Sequence, residues 1–99
     1  MKIVITHPAK LQLKKIFQYY NNVANRKIAY KITEHIIEAI QTLHHNPTIG
    51  QEEEYLKVLK KHHRRLIVGH YKIIYRKEKQ ILYITDIFDS RQDPSKMKK

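Results

Sequence analysis

The residues of this chain that could do chemistry crowd into its second half. Between Lys57 and Lys79 stand Lys57, Lys60, Lys61, Arg64, Arg65, Lys72, Arg76, Lys77 and Lys79, opposed only by Glu78. These nine cations supply most of the formal charge of +11 left by 20 Lys+Arg against 9 Asp+Glu. Such a cluster attracts polyanions, either nucleic acid or an acidic protein, with an affinity that falls as salt rises. The plainer reading is a solvated basic surface that only keeps the chain soluble. Clustering, in place of an even spread, favours a binding role.

Other constellations carry less. His44-His45 and His62-His63 are paired histidines without the i, i+4 spacing or the accompanying carboxylate of a helical metal site, so no metal is expected. Three consecutive carboxylates, Glu52-Glu53-Glu54, repel one another and point in different directions, which suits a solvated run better than an acid–base pair. With no Cys there is no disulfide framework, thiolate nucleophile or Cys-based zinc site. Two Gly in the whole chain leave no phosphate-cradling loop, so no nucleotide cofactor is expected.

The elements that must position these groups follow from periodicity and punctuation. With 99 residues and 41% hydrophobic composition, the chain suits one domain over residues 1–99 and has too many apolar residues for disorder. Apolar runs are only about four residues long, against the roughly 18 needed to span a bilayer. A short apolar start broken by His7-Pro8 is a poor secretory signal, and the cytoplasm is the expected compartment. Residues 2–6 are β-branched and predict a strand. Thr6 or His7 can cap a helix with Pro8 in its first turn, and Ala9, Leu13, Ile16, Phe17 and Tyr20 mark its apolar stripe up to a stop at Asn21-Asn22. A second helix begins near Asn25 and buries Ile28, Ile32, Ile36, Ala39, Ile40 and Leu43 before Asn46-Pro47.

From Asn46 to His62 the pattern weakens. Gly50 supplies a turn, and Tyr55, Leu56 and Leu59 form one helical turn or anchor a loop. Strands then follow at about 63–68, 71–77 and 80–88, linked by Gly69-His70 and by Lys77-Glu78-Lys79. The expected fold is α+β in the order β-α-α-β-β-β, with a helical hairpin packed on one face of a small antiparallel sheet. The polar tail from about 90 to 99 is expected to fray after Pro94. Period-2 alternation puts Arg65 and Ile67 on one face of their strand and Arg64, Leu66 and Val68 on the other. On the next strand Ile73 and Tyr75 oppose Lys72, Ile74 and Arg76. Tyr71, Tyr75 and Tyr83 are expected to pack. The helix-free face should then gather the strand cations into one concave, exposed surface.

The run Arg65-Leu66-Ile67-Val68-Gly69-His70-Tyr71-Lys72-Ile73-Ile74-Tyr75-Arg76 resembles the R-x-L-V-x-G-x-Y-K/R-I-x-Y strand pair of the RelE/ParE toxin family of plasmid stabilisation proteins. Upstream, Asn46-Pro47-x-x-Gly50 resembles that family's helix-ending proline and glycine turn. Downstream, Ile87-Phe88-Asp89-Ser90-Arg91-Gln92-Asp93-Pro94 resembles its last strand and basic tail. The resemblance covers nearly the whole chain and implies the growth-inhibiting toxin of a type II toxin–antitoxin pair. Its partner would be an acidic cognate antitoxin, a largely disordered segment that folds across the basic surface.

The resemblance leaves three activities open. ParE-like members poison DNA gyrase and are not nucleases. RelE-like members cut messenger RNA on the ribosome, and a degenerate member would be non-toxic. RNA cleavage needs a group to activate the 2′-hydroxyl, cations for the phosphorane-like charge and an acid for the leaving oxygen. Matching positions offer His63 for proton transfer and Arg65, Lys72 and Arg91 for phosphate. The tail position where RelE relatives often carry Tyr or His falls near Met97, which does no proton chemistry, and this favours the gyrase reading. Residues expected to bind target or antitoxin are Arg64, Arg65, Lys72, Arg76 and Arg91. The assemblies left open are a homodimer through the helical hairpin and a toxin–antitoxin hetero-oligomer.

Overall fold

A computed structural model describes residues 1–99. Strand β1 (Lys2–Ile5) leads into helix α1 (His7–Val23), which is followed by α2 (Arg26–Thr42), β2 (Gln51–Glu52), β3 (Arg64–Val68), β4 (Tyr71–Glu78) and β5 (Ile81–Asp89). Single 3₁₀ segments at Glu54–Leu59 and Pro94–Lys96 complete the chain.

Each helix starts where its capping residues direct. Pro8 sits in the first turn of α1, where a missing N–H costs nothing. Thr6 occupies the N-cap position, but its hydroxyl donates to the Ile84 carbonyl at 2.8 Å and thereby ties the helix start to β5. Helix α1 runs through Asn21 and Asn22 to Val23, beyond the expected stop. Asparagine costs only about half a kcal/mol in a helix, too little to end one that is packed on a sheet. The break comes at Asn25, whose side chain accepts the Ile28 N–H at 2.9 Å and starts α2.

The sheet order is β1-β5-β4-β3-β2. The links at Gly69-His70 and Lys79-Gln80 are short, so β3, β4 and β5 are antiparallel neighbours. Gly69 takes φ 59°, the left-handed region that the tight turn requires. Lys77 and Glu78, expected in the second turn, still pair with Leu82 and Ile81, and the bend falls on Lys79-Gln80, with Lys79 at φ 57°. The sheet is mixed, not purely antiparallel: β1 pairs parallel to β5, from Lys2↔Ile81 to Ile5↔Ile84. These strands are the first and last in sequence, so no short link sets their direction. Two residues too few to leave a periodic signal, Gln51 and Glu52, add β2 beside Arg65 and Arg64.

The main core lies between the helical hairpin and one sheet face. Ala9, Ile16, Ile36 and Ile40 meet Ile73, Tyr75, Leu82, Ile84 and Ile87 there, each full-sized apolar side chain adding roughly 2 kcal/mol. In β5 the register slips between Ile74↔Asp86 and Tyr75↔Ile84, leaving Thr85 as an extra residue. This bulge reverses the alternation, so Ile84 and Ile87 both face the helices while Phe88 joins the opposite side.

That opposite side was expected to lie open, and it is roofed. The 3₁₀ segment Glu54–Leu59 and the residues after Pro94 cross it, closing a second apolar cluster of Leu56, Ile74, Phe88 and Met97. The tail is docked, not frayed. Met97 is buried, and the Lys98 N–H donates to the Asp86 carboxylate at 2.9 Å. A lone methionine among polar residues has no periodicity, and its socket is assembled from three distant elements.

Candidate functional site

The strand cations do not converge on one hollow. Arg64 lies on the helix side of β3, where its guanidinium donates to the carbonyls of Gly50 at 2.6 Å and Thr48 at 3.4 Å. Gly50 is required there by close approach: an added Cβ would stand 2.5 Å from both the Arg65 carbonyl oxygen and the Tyr75 hydroxyl. Tyr75 is buried as expected, and its hydroxyl accepts the Gly50 N–H at 2.9 Å.

On the other face, Arg65 and Lys72 meet over Glu53. This carboxylate, expected to be solvated with its two neighbours, is only 1% exposed. It accepts from Lys72 Nζ at 2.9 Å and from Arg65 at 3.3 Å. The backbone explains its inward turn, because the Glu53 N–H donates to the His63 carbonyl at 2.8 Å and fixes the strap beside β3. Arg65 is further occupied by the Glu52 carbonyl at 2.6 Å and the Gln51 side chain at 3.0 Å, while the Lys72 ammonium lies 5.6 Å from the Tyr55 ring centroid. Both cations therefore have internal counter-charge before any partner arrives.

His63, the candidate for proton transfer, is also 1% exposed. Its Nε2 faces the Lys99 carbonyl at 3.3 Å, and its Nδ1 has no partner. Burial lowers its pKa, with Arg76 and Lys61 pushing the same way against the Lys99 carbonyl. The ring is enclosed, and that enclosure favours its neutral form. Arg76 stands apart, bonded to Glu78 at 2.7 Å and stacked over the half-buried Tyr83 at 5.0 Å.

Arg91 belongs to a different place. Its guanidinium is bidentate on Asp89, at 2.9 and 2.8 Å, and holds that carboxyl below its usual range. It lines a cleft of about 740 Å³ between α1 and the segment after β5. Lys15, Lys96 and Lys98 are the other cations of this cleft, and none of the three is in an ion pair. Ile16, Ile87 and Phe88 supply its apolar part. Asp86 also borders it, buried, with Oδ1 unpartnered and a pKa raised by that burial. Sequence reasoning found Arg91 and missed the three lysines. Lys15 sits in a helix whose polar positions carry many lysines, and the other two lie in the tail expected to fray.

Fold and charge together define a basic α+β protein, a helical hairpin packed on a five-stranded mixed sheet. A family model described as the ParE toxin of the type II toxin–antitoxin system, parDE, matches residues 3–94. The chain belongs to the ParE toxin family, the toxin half of a pair whose other member is an antitoxin. A solved structure titled "Chromosomal ParDE TA system from P. aeruginosa" shares the fold. Its TM-score is 0.77 at 19% sequence identity, over 90% of this chain and 95% of that one. A comparison with curated protein sequences finds no match. No helix is long and apolar enough to cross a membrane.

Proposed function

We propose that this toxin arrests growth by binding and poisoning DNA gyrase in the cytoplasm, without cutting RNA, and that an acidic antitoxin silences it by covering cationic surface. The state of His63 is the observation that carries this reading. General acid–base cleavage requires a proton-transfer group within reach of a 2′-hydroxyl, and the one candidate imidazole is enclosed beneath Lys99. Lys72 and Arg65, the matching phosphate ligands, are committed to Glu53. What is left to act is a set of exposed cations, which suits association with an acidic protein surface.

The test is to induce the protein in cells and map messenger 5′ ends alongside plasmid supercoiling, with a purified gyrase assay in parallel. Relaxed or cleaved DNA with intact messages is the expected result. Codon-phased cuts in messenger RNA would overturn it in favour of ribosome-dependent cleavage, and unimpaired growth would mark an inert relative.

A further inference from the structure

We propose that one end of the sheet, formed by the β4–β5 turn, the start of β1 and the end of the 3₁₀ strap, is a docking surface for the phosphate backbone of a nucleic-acid duplex. The inference goes beyond the gyrase reading, because it concerns a contact made without any enzyme.

Strand pairing brings the cations together. Lys2 stands opposite Ile81 at the start of β5, Lys77 stands opposite Leu82, and Lys79 lies in the turn between β4 and β5. Strand β3 begins at Arg64 opposite Tyr75, so Lys60 and Lys61 lead in beside the last residues of β4. Lys61 is near enough to Glu78 to help hold its carboxyl below the usual range. Neighbouring strands are about 4.8 Å apart, so the row from β1 across β5 and β4 to β3 is about 14 Å long. That length of duplex axis carries roughly eight phosphate charges.

These five lysines are exposed, and none is in an ion pair. The only acid in the same segments, Glu78, is bonded to Arg76 at 2.7 Å. Cations elsewhere differ: Arg65 and Lys72 share Glu53, and those of the cleft beside α1 stand among Asp86 and Asp89. The backbone marks the same place. Lys60, His62 and Lys79 are the only non-glycine residues in the left-handed region, at φ 56°, 56° and 57°. Glycine takes that conformation without penalty, yet this end carries a cation or an imidazole at each position, a strain that points to a use for the side chains.

A protein guest finds little to hold. Residues 60–62 and 77–80 include no apolar side chain, and Ile81 is paired on both sides, by Lys2 and Glu78, so no strand edge is open there. Tyr83, the first ring along β5, is half-buried under Arg76 and offers no platform for unpaired bases. Lysines without either feature fit the regularly spaced charges of a double helix.

The experiment follows the anisotropy of a labelled duplex of roughly 20 base pairs, DNA in one arm and RNA of the same sequence in the other, as the full chain is added at about 50 mM salt. Saturable binding is expected in at least one arm, weakening with about the fourth power of salt concentration as the five lysines release counterions. The tighter arm names the source of the backbone. Lys61→Glu/Lys77→Glu should bind at least tenfold more weakly. Lys27→Glu/Lys31→Glu changes the net charge equally at the start of α2, and should bind within about threefold of the unaltered protein. Past the far end of α2, His44 Nδ1 lies 2.9 Å from the Met1 carbonyl, so about 25 Å of helix separates this control from the lysine row. Should the first variant fail to fold, amide shifts in the ¹⁵N-labelled unaltered protein must centre on residues 60–62 and 77–80. No saturable binding, equal weakening by both variants, shifts centred on the cleft beside α1, or tighter binding of single-stranded thymidine would each overturn the proposal. So would a polyglutamate peptide that displaces the duplex from the same amides at lower concentration, which would mark an acidic protein as the guest.

Discussion

The Lys72 ammonium rests 2.9 Å from the Glu53 carboxylate, and that carboxylate is enclosed by the protein's own 3₁₀ strap. The pair joins the strap to β4, and with Arg65 it forms a three-group cluster in which a single anion serves two cations. Its consequence for experiment is that a cation expected to serve function also serves the fold.

Glu53→Gln should cost about 3 kcal/mol, because Lys72 and Arg65 are left largely enclosed without their counter-charge. Lys72→Ala should cost about 2 kcal/mol for the mirrored reason, whereas Arg91→Ala, removing an exposed pair, should stay within about 1 kcal/mol. Urea denaturation midpoints rank the three. Equal midpoints for Glu53→Gln and the unaltered protein would mean that the carboxylate is solvated after all.

Gly50→Ala should cost about 2–3 kcal/mol, since the new methyl meets the β3 backbone at Arg65, which cannot step aside as a flexible side chain would. Tyr75→Phe tests the same joint from the other side. It strands the buried Gly50 N–H and should cost about 1–2 kcal/mol. Because both changes act on one contact, the double variant should lose less than the sum of the two.

The acid side of the stability profile should carry the signature of His63. Its folded pKa lies below the ordinary 6.5, so the unfolded chain binds the proton more tightly. Stability from this group is complete above pH 6.5 and is lost as the pH falls through the lowered folded value. Urea midpoints at pH 7.5 and 5.5 should differ less for His63→Gln than for the unaltered protein. Asp86 runs oppositely. Burial raises its pKa, so its contribution is complete below about 3.8 and declines as the pH rises through the folded value.

Met97→Ala should cost about 2 kcal/mol by emptying the socket of Leu56, Ile74 and Phe88. With the side chain gone, the Lys98 amide should exchange with solvent faster, because its bond to Asp86 loses the packing that shields it. Unchanged exchange at Lys98 would mean that the tail is held by its polar contacts alone.

The order of elements was legible because each signal is local. The α1 stripe, the Asn25 cap, the Gly69 turn and the alternation along β3 and β4 depend on neighbours a few residues away. The same locality made Arg65, Lys72 and Arg91 recognisable as charged strand and tail positions. It also placed Arg64 on the opposite face from Arg65, as the structure has it.

Where those side chains end was not legible. Alternation cannot foresee that Thr85 bulges and reverses the faces of Asp86, Ile87 and Phe88, because the slip is defined only against β4. Three adjacent glutamates look alike until β3 and β4 bring Arg65 and Lys72 to the middle one. A polar tail looks loose until Leu56, Ile74 and Phe88 form a socket for its single methionine. By itself the sequence determined the helices, the strands and the basic charge, whose causes are short-range. Which cations stay free to meet a partner was decided only when the tertiary structure set distant groups side by side, since a charge is spent or available according to what stands within a few ångströms of it.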